Sequence, residues 1–452
     1  MNIEFVIFGR NENEQLGLNV RTSKCLPTKL NFKNTVNYDY LEQEGIKVVK
    51  MGGNRLAFIT YENNLIITLN DYRNNNPSTY NACKICAEPK GSDSKKPIPH
   101  THFENISNDI YILKKNVIDV AIGFSHCVFL TKNENMLYGF GTNGNCRLGV
   151  SHEAVNMEDM VSRMFSQFYN VKCYRIEVEH HLDQYEKIVS VHCLGQGTIC
   201  KTNFNNLIVF GWSYRGELST KSDKQVPRKE TFFSERNLTI EKIFTGYSHV
   251  YYLVKTMEME TKLFVCGWNE DNQLGLTHTN NIFTITENKL PFVPDIKDIA
   301  LGYDFSLILT KDGTVYVFGT RFLLPETDVE KLSNYPNAKK IKLENVSRIS
   351  AGYYHCILVI DDKKFYPLGV NDCAQCGFND DDMIPRSPGV NRELVIEHTA
   401  NLSLVAAGQY STAIIFSNHY TKLEAEKRLK SLLFKSLQSS SLSDVVFEYD
   451  FP

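Results

Sequence analysis

The sequence predicts an all-β protein folded as a seven-bladed propeller, and three observations support this prediction. A hairpin pattern recurs along most of the chain, its copies follow one another at a basic period near fifty residues, and the chain begins and ends with complementary halves of the pattern. Repeats of about this length, each supplying roughly four strands, are typical of propellers.

The clearest copy of the hairpin extends from Gly302 to Gly319. An alternating strand is followed by the turn Lys311-Asp312-Gly313 and by a second alternating strand that ends at Phe318-Gly319. An Asp-Gly pair between two alternating runs is the strongest short-range hairpin signal. We therefore expect an antiparallel hairpin here and in the other copies.

Two half-signatures, each marked by a glycine, define the repeat. The first is a hydrophobic run followed by an alternating strand, around Gly52, Gly123, Gly195, Gly246, Gly302, Gly352 and Gly408. The second is an aromatic-rich strand, often followed by an Asn-containing loop and Leu-Gly, at Gly9, Gly141, Gly211, Gly267, Gly319 and Gly369, with Leu69 as a degenerate copy. Seven copies of each half predict seven blades.

The two ends of the chain carry the halves that complete one blade. The chain opens with a second half, from Phe5 to Gly17, and its last repeat is a first half, from Leu402 to Phe416. If these halves pair, the ring closes and leaves only short, protected sheet edges. We assign residues 1–418 to the propeller.

Two insertions and a different C-terminal segment interrupt this regularity. Residues 70–108 are rich in Asn, Pro, Ser and Lys and predict a long loop, whereas residues 151–187 include a helical pattern near Glu158–Phe168. From 419 to 452 the apolar period becomes helical, which predicts a short amphipathic helix followed by a strand-like piece.

Composition and charge narrow the classes of function. The chain has 49 basic and 52 acidic residues, so no pervasive positive field favours direct nucleic-acid binding. The N-terminus does not resemble a signal peptide, and no apolar stretch is long enough to span a bilayer. Free thiols in a reducing compartment are expected for the twelve scattered cysteines. We expect a monomeric, intracellular protein, either cytoplasmic or nuclear, that binds no membrane.

One group of residues has partial metal-site character. Cys83, Cys86, His100 and His102 could supply two thiolates and two imidazoles to zinc. The histidines, however, are separated by one residue instead of three to five, and free thiols in a loop are the alternative. Since no hydrolase or phosphate-binding motif accompanies them, we expect no metal, no cofactor and no catalytic residue.

The repeats resemble those of the regulator of chromosome condensation family. The matching segments include Ala121–His126, Thr245–His249 and Ala351–His355, together with the loops 9–17, 141–149 and 267–275. The resemblance extends from Phe5 to Phe416 and implies a seven-bladed propeller. The recurring histidines are interpreted as structural groups that form hydrogen bonds within each blade.

The tail supplies the leading functional hypothesis. Leu442-Ser-Asp-Val-Val-Phe447 resembles the opening of a BTB/POZ domain. Some proteins join such a propeller to a BTB/POZ domain, and the resemblance to them implies an adaptor or scaffold role for this chain. We therefore predict a protein-interaction scaffold, in its more specific form an adaptor for a ubiquitin-ligase component.

The alternative hypothesis is a guanine-nucleotide exchange factor for a Ran-like small GTPase. In the family members with this activity, acidic residues near the first-signature glycine contact the GTPase, and Asp304 matches that position. The loop after Gly319 departs from the repeat template. The predicted partner-binding residues are Asp304, Arg321, Phe322, Glu326 and His355. Exchange requires no bond-making catalysis, because it couples the binding of two ligands.

Overall fold

The structure is a computed structural model with side chains. It describes residues 3–11, 22–30, 46–52, 55–68, 104–107, 110–113, 116–132, 135–141, 146–149, 174–319, 328–332, 335–379, 392–398 and 400–417. Within these ranges the regular elements are β-strands and three short 3-10 helices, at Glu179–His181, Ser234–Arg236 and Val293–Asp295. The all-β prediction is confirmed, whereas the predicted helices near 158–168 and after 418 lie outside the described residues.

The strands form seven antiparallel sheets, which we call blades 1 to 7. Strands β1 (Ile3–Asn11) and β2 (Thr22–Leu30) belong to blade 7. Blade 1 contains β3 (Ile46–Gly52), β4 (Arg55–Thr60), β5 (Leu65–Thr68), β6 (Glu104–Ser107) and β7 (Ile110–Leu113). Blade 2 contains β8 (Val117–Ile122), β9 (His126–Thr131), β10 (Leu137–Gly141) and β11 (Tyr174–Ile176). Blade 3 contains β12 (Ile188–Cys193), β13 (Gly197–Thr202), β14 (Leu207–Ser213) and β15 (Ser222–Glu230).

The remaining strands continue the same order. Blade 4 contains β16 (Thr239–Thr245), β17 (His249–Lys255), β18 (Thr261–Gly267) and β19 (Ile282–Asn288). Blade 5 contains β20 (Ile296–Leu301), β21 (Phe305–Thr310), β22 (Val315–Gly319), β23 (Val329–Leu332) and β24 (Tyr335–Ile341). Blade 6 contains β25 (Val346–Ala351), β26 (His355–Ile360) and β27 (Lys364–Gly369). Blade 7 is completed by β28 (Leu402–Ala407) and β29 (Ser411–Ser417).

One strand of each blade lies nearest the central axis, and these inner strands contact one another in a closed circle formed by β3, β8, β12, β16, β20, β25 and β28. The circle closes as the sequence predicts, because β1 pairs with β29 in continuous register from Ile3↔Ser417 to Gly9↔Ser411. β1 and β2 thus form the outer half of blade 7. The seven-bladed propeller closed by its two chain ends is confirmed.

The hairpin from Gly302 to Gly319 is also confirmed. β21 and β22 pair from Phe305↔Gly319 to Leu309↔Val315. At the turn, Gly313 has a φ of +83°, and the Asp312 carboxylate accepts hydrogen bonds from the Thr310 hydroxyl and the Thr314 amide. Glycine adopts this positive φ at no steric cost, which explains the Asp-Gly sequence.

The hydrophobic core fills the spaces between blades. Clusters of buried apolar side chains join each pair of successive blades from blades 1 and 2 to blades 6 and 7. The nine described cysteines are all free, and eight of them are buried. None of the described residues forms a helix with the length and apolar character that crossing a bilayer requires.

The structure assigns the last part of each predicted insertion to a blade. Within 70–108, residues Glu104–Ser107 form β6, and within 151–187, residues Tyr174–Ile176 form β11, the outermost strand of blade 2. Both strands are three or four residues long and partly polar. Such short edge strands carry too little alternation to stand out from loop sequence.

We predict that Phe8→Ala lowers the unfolding free energy of the protein by about 3–5 kcal/mol, because it leaves a cavity in the closing blade. Phe8 is fully buried in the cluster shared by blades 6 and 7. Urea unfolding followed by circular dichroism measures the change. Leu26→Ala in β2, where the side chain is 42% exposed, is the matched control. Equal effects of the two substitutions would contradict the role of β1 in closure.

Candidate partner-binding face

Both signature loops emerge on the same face of the propeller, which we call the signature face. In blade 2, β9 begins at His126 opposite Gly141, where β10 ends. In blade 5, Phe305 likewise lies opposite Gly319. The Lys311-Asp312-Gly313 turn is at the other end of the same hairpin and so lies on the opposite face. Asp304 and the start of the irregular loop after Gly319 therefore share the signature face.

Backbone hydrogen bonds link the inner loops from one blade to the next. They run from Phe124 N to Gly195 O, Gly195 N to Tyr247 O, Tyr247 N to Gly302 O, Tyr303 N to Tyr353 O and Tyr353 N to Gly408 O, at 2.9–3.2 Å. These loops surround a central cavity of about 80 Å³, lined by all seven first-signature glycines. The glycine pattern in the sequence thus marks the inner rim of the ring.

Each recurring histidine takes part in a hydrogen-bond relay between neighbouring blades. His249 Nε2 lies 3.0 Å from Ser306 Oγ in blade 5, and that hydroxyl donates to the carbonyl of Gln273 at 2.6 Å. Because the hydroxyl has already donated its only proton, His249 Nε2 must carry a hydrogen and donate it. Two further relays have the same arrangement: His126, Thr198 and the Arg147 carbonyl, and His355, Thr412 and the Gln375 carbonyl.

The relays correct two expectations about these histidines. The sequence suggested hydrogen bonds within each blade. In the structure, the histidine side chains instead form hydrogen bonds between successive blades. His355 is 0% exposed, so its side chain lies beneath the surface that a partner would contact. The structure therefore does not support its assignment as a partner-binding residue.

The glycine before each relay histidine makes room for the imidazole. A Cβ on Gly246 would lie 2.6 Å from Cε1 of His249, which is closer than real Cβ atoms approach other atoms. In blade 5, Phe305 occupies the histidine position, and its ring packs over Gly302 in the same way. The Gly-x-x-His motif is thus a packing unit that joins blades.

Blade 3 departs from the register that the sequence suggested. Leu194 N bonds to Gly197 O in the way that Gly246 N bonds to His249 O. Leu194 therefore occupies the position of the motif glycine, and Gly197 occupies the position of the histidine. The sequence assigned Gly195 as the motif glycine, so the register of blade 3 differs from the prediction by one residue. Gly195 is instead covered by the ring of Tyr247, 2.4 Å from its hypothetical Cβ.

Burial lowers the pKa of His126, His249 and His355 to about 3. In the unfolded chain these groups titrate near pH 6.5. The unfolded state therefore binds more protons than the folded state as the pH falls below 6.5. Stability conferred by the neutral histidines is complete above pH 6.5 and is lost progressively toward pH 3.

We predict that His249→Phe, which copies the residue of blade 5, makes the protein less sensitive to acid. The slope of unfolding free energy against pH between 6 and 4 should fall by about 1.4 kcal/mol per pH unit, the contribution of one histidine. Urea unfolding at a series of pH values measures the slope. His278→Phe, at an exposed histidine, controls for the added ring. An unchanged slope in His249→Phe would contradict the burial of a neutral imidazole.

The glutamine of the second-signature loop stabilises the turn to which it belongs by a hydrogen bond from its side chain to the backbone. The Gln273 side-chain carbonyl accepts a hydrogen bond from Asp271 N at 3.1 Å, and that of Gln375 accepts one from Cys373 N at 2.8 Å. In blade 3 the position is Glu217, whose carboxylate accepts from Arg215 N at 2.7 Å. The same turn thus contains a buried carboxyl in place of a neutral amide.

In blade 2 the corresponding position is Arg147. Its guanidinium donates to Ser125 Oγ and, at 3.1 Å, to Gln196 Oε1, and Gln196 in turn donates to the Tyr247 hydroxyl. Two adjacent blades therefore replace glutamine with buried ionisable groups. The sequence reasoning missed Arg147 and Glu217, although counting six residues from each second-signature glycine would have aligned them.

Burial raises the pKa of Glu217 to about 7, against hydrogen bonds from its own turn and from Ser248. Glu217 is only 5% exposed. The carboxyl of the unfolded chain ionises near pH 4.5, so the folded state loses relative stability as the pH rises from about 4.5 to 7.

We predict that Glu217→Gln, which restores the residue of the repeat, stabilises the protein at pH 8 and not at pH 5. The gain should reach up to about 3 kcal/mol, because the cost of ionising the buried carboxyl disappears. Thermal and urea unfolding at both pH values measure it. Glu235→Gln, at a side chain that is 66% exposed, is the matched control. A gain that is the same at both pH values would contradict the assignment.

Aromatic side chains cover the centre of the signature face. We call Phe124, Tyr247, Tyr303, Tyr353, Tyr354 and Tyr410 the aromatic hub. Phe124 and Tyr353, from blades 2 and 6, stack with their centroids 6.0 Å apart, and both line the central cavity. All six residues are half-buried. Most of these residues lie within the repeat motifs, but the spacing of the motifs does not predict that the ring brings them together.

Asp304 lies at the edge of the hub, where the sequence placed a partner contact. Burial raises the pKa of Tyr303 and of Tyr354, and the neighbouring tyrosines and the negative charge of Asp304 add to both shifts. Arg321, Phe322 and Glu326 lie outside the described residues, as do Cys83, Cys86, His100 and His102. In the part of the chain that the structure describes, no three metal-binding side chains come together.

The fold and its relays define a class: a closed propeller of seven repeats, three of which are joined to the next blade through a Gly-x-x-His loop. Residues 296–320 match the family model of the Regulator of chromosome condensation (RCC1) repeat. The structure of Prp20p from Saccharomyces cerevisiae superposes with a TM-score of 0.64 at 17% identity, covering 96% of this chain and 95% of that chain, which shows the shared fold. The resemblance of these repeats to those of the regulator of chromosome condensation family is confirmed by this match and by the shared fold.

Curated relatives cover shorter parts of the chain. The Secretion-regulating guanine nucleotide exchange factor of Bos taurus is 36% identical over 100 residues, 22% of each chain. Guanine nucleotide exchange factor SRM1 of Saccharomyces cerevisiae is 24% identical over 238 residues, 48% of each chain. The chain spans about a fifth of the length of the first relatives it matches.

Proposed function

We propose that the protein binds a Ran-like small GTPase on its signature face and accelerates release of the bound nucleotide. This was the alternative hypothesis from the sequence. Two of the relatives described above are guanine nucleotide exchange factors by name. These relatives favour exchange over the scaffold hypothesis. The BTB-like residues 442–447, on which the adaptor role was based, lie outside the described residues.

The observation that carries this proposal is the position of Asp304 beside the aromatic hub. Protein interfaces concentrate binding energy in aromatic and charged side chains at the centre of a contact, surrounded by a rim that excludes water. The hub lies on the axis of the propeller, and the carboxylate of Asp304, which follows Tyr303 in the chain, acts electrostatically on Tyr303 and Tyr354. A GTPase centred on the axis would therefore meet an aromatic surface with a carboxylate at its edge.

The irregular loop of blade 5 begins next to the backbone of Asp304. A Cβ on Gly319 would lie 2.2 Å from the carbonyl oxygen of Asp304, so the two backbones are in direct contact. The residues that follow include Arg321, Phe322 and Glu326, which we propose as additional contacts. They would approach the GTPase beside Asp304 rather than at a separate place.

Exchange by this surface needs binding energy and no covalent chemistry. A propeller that binds the nucleotide-free GTPase more tightly than the loaded form lowers nucleotide affinity by the same factor, because the coupling between two ligands is reciprocal. The backbone bonds between inner loops hold the hub in place before the partner arrives. Such preorganisation reduces the entropy lost on binding.

We also propose a partner and a location for this chain. The structure of Prp20p is reported together with the binding properties of that protein to Gsp1p and histones. For this chain we propose a small GTPase as the partner and an intracellular location, cytoplasmic or nuclear. The nearly balanced charge, with 49 basic and 52 acidic residues, gives no support to direct nucleic-acid binding.

We predict that the protein accelerates release of a fluorescent GDP analogue from a Ran-like GTPase, and that Asp304→Ala reduces this acceleration about tenfold or more. Loss of a charged contact at the centre of an interface commonly costs more than about 1.4 kcal/mol, which corresponds to this factor. Stopped-flow fluorescence measures the release rate.

Asp312→Ala is the matched control, because Asp312 belongs to the same hairpin and lies on the opposite face. It should leave the release rate unchanged once its folding has been verified by circular dichroism. If the wild-type protein accelerates no release, the exchange proposal fails. Capture of a cullin-type ligase component by the same protein would then restore the scaffold hypothesis.

A further inference from the structure

We infer that the Tyr303–Tyr354 half of the aromatic hub docks a single cationic side chain, a lysine or an arginine, from the protein partner. The inference deepens the proposed function and rests on it, since the cation is assigned to the protein that binds the signature face. It adds the chemical group that the hub recognises. Four observations in the described residues support it.

The first observation is the arrangement of the rings. Tyr303 and Tyr354 have centroids 5.1 Å apart with ring planes inclined by 39°, and Tyr354 and Tyr410 have centroids 6.4 Å apart at 35°. These three residues are half-buried and belong to three successive blades. They form a continuous aromatic surface that a side chain from another protein can reach.

The second observation is the charge beside these rings. The face of an aromatic ring carries partial negative charge and attracts cations within about 6 Å of the centroid. Asp304 adds a full negative charge that acts on both Tyr303 and Tyr354. Ring faces and carboxylate together favour a cation and disfavour an anion at this place.

The third observation is that the margins of the same surface already hold cations of the chain. The Arg215 guanidinium carbon lies 3.9 Å from the centroid of Trp268, whose ring packs edge-on against Tyr303 at 5.5 Å. The Arg10 guanidinium carbon lies 5.6 Å from the centroid of Tyr410. Among the described residues, no lysine or arginine lies over Tyr303 or Tyr354, which occupy the middle of this row.

The fourth observation distinguishes the two halves of the hub. On the other side, the buried guanidinium of Arg147 is hydrogen-bonded to Ser125 and Gln196, close enough to Tyr247 and Tyr353 to interact electrostatically with both. Among the described residues, no carboxylate is among the groups that shift the pKa of Arg147, so its charge would repel a second cation. Beside Tyr303, by contrast, the carboxylate of Asp304 offsets the charge of Arg215. The incoming side chain is therefore assigned to Tyr303 and Tyr354, beside Asp304, and not to Phe124 and Tyr247.

The test uses the full chain labelled with 3-fluorotyrosine and observed by ¹⁹F NMR. The probes are the N-acetyl methylamides of lysine, arginine and norleucine, where norleucine keeps an aliphatic chain without the charge. Inorganic phosphate serves as an anionic probe. Tyr303→Phe and Tyr354→Phe assign the two resonances, and Tyr354→Phe should still bind because it keeps the ring.

We expect saturable shifts of the Tyr303 and Tyr354 resonances with lysine or arginine, and none with norleucine. Comparison of the lysine and arginine probes identifies which cation the site prefers. Asp304→Asn should weaken binding about fivefold to tenfold, and Tyr354→Leu should abolish it, whereas Asp312→Asn on the opposite face should have no effect. Equal shifts with norleucine, or shifts with phosphate in place of the cations, would overturn the inference.

The outcomes separate this inference from the proposed function. If the lysine or arginine probe binds and the protein accelerates no nucleotide release, the exchange proposal fails and the cation site remains. If release depends on Asp304 but neither cationic probe shifts the two tyrosines, the exchange proposal remains and the cation site is refuted.

Discussion

The structure depends on hydrogen bonds that cross from one blade to the next near the central axis. The hydrophobic clusters between blades bury large apolar side chains, but they do not fix the position of one blade relative to its neighbour to within a hydrogen-bond length. The histidine relays do so between blades 2 and 3, 4 and 5, and 6 and 7, because a buried imidazole, hydroxyl and carbonyl tolerate little displacement before a polar group loses its partner. The inner loops, the cavity and the aromatic hub all follow from this registration.

The same constraint explains where the signature face can vary. Blades 2, 4 and 6 contain complete relays, whereas blade 5 replaces the histidine with Phe305 and is also the blade that bears Asp304. Blades 2 and 3 replace the loop glutamine with Arg147 and Glu217. Departures from the repeat therefore concentrate at the axis of one face, while the opposite face keeps ordinary hairpin turns. The repeated residues make the propeller rigid, and the residues that depart from the repeat determine the chemistry of the signature face.

The fold was predictable because its glycines are required by contacts that recur in each blade. Where a Cβ would collide with an imidazole, as at Gly246, the sequence must show glycine, and so the repeats can be counted. Blade 3 was misread by one residue because Gly195 and Gly197 both lie near the expected position, and only the pairing of Leu194 distinguishes them. The hub could not be predicted, because Phe124 and Tyr353 are far apart in sequence and meet only after the ring has closed. Spacing alone likewise did not reveal that His355 is buried.

Closure by the two ends of the chain has a consequence during synthesis. β1 is made well before its partner β29, which ends at Ser417. Through most of translation the nascent chain therefore presents β1 without its inner neighbour, and an unpaired strand edge is prone to join the wrong chain. Folding of this protein in the cell must keep that edge protected until the final repeat emerges.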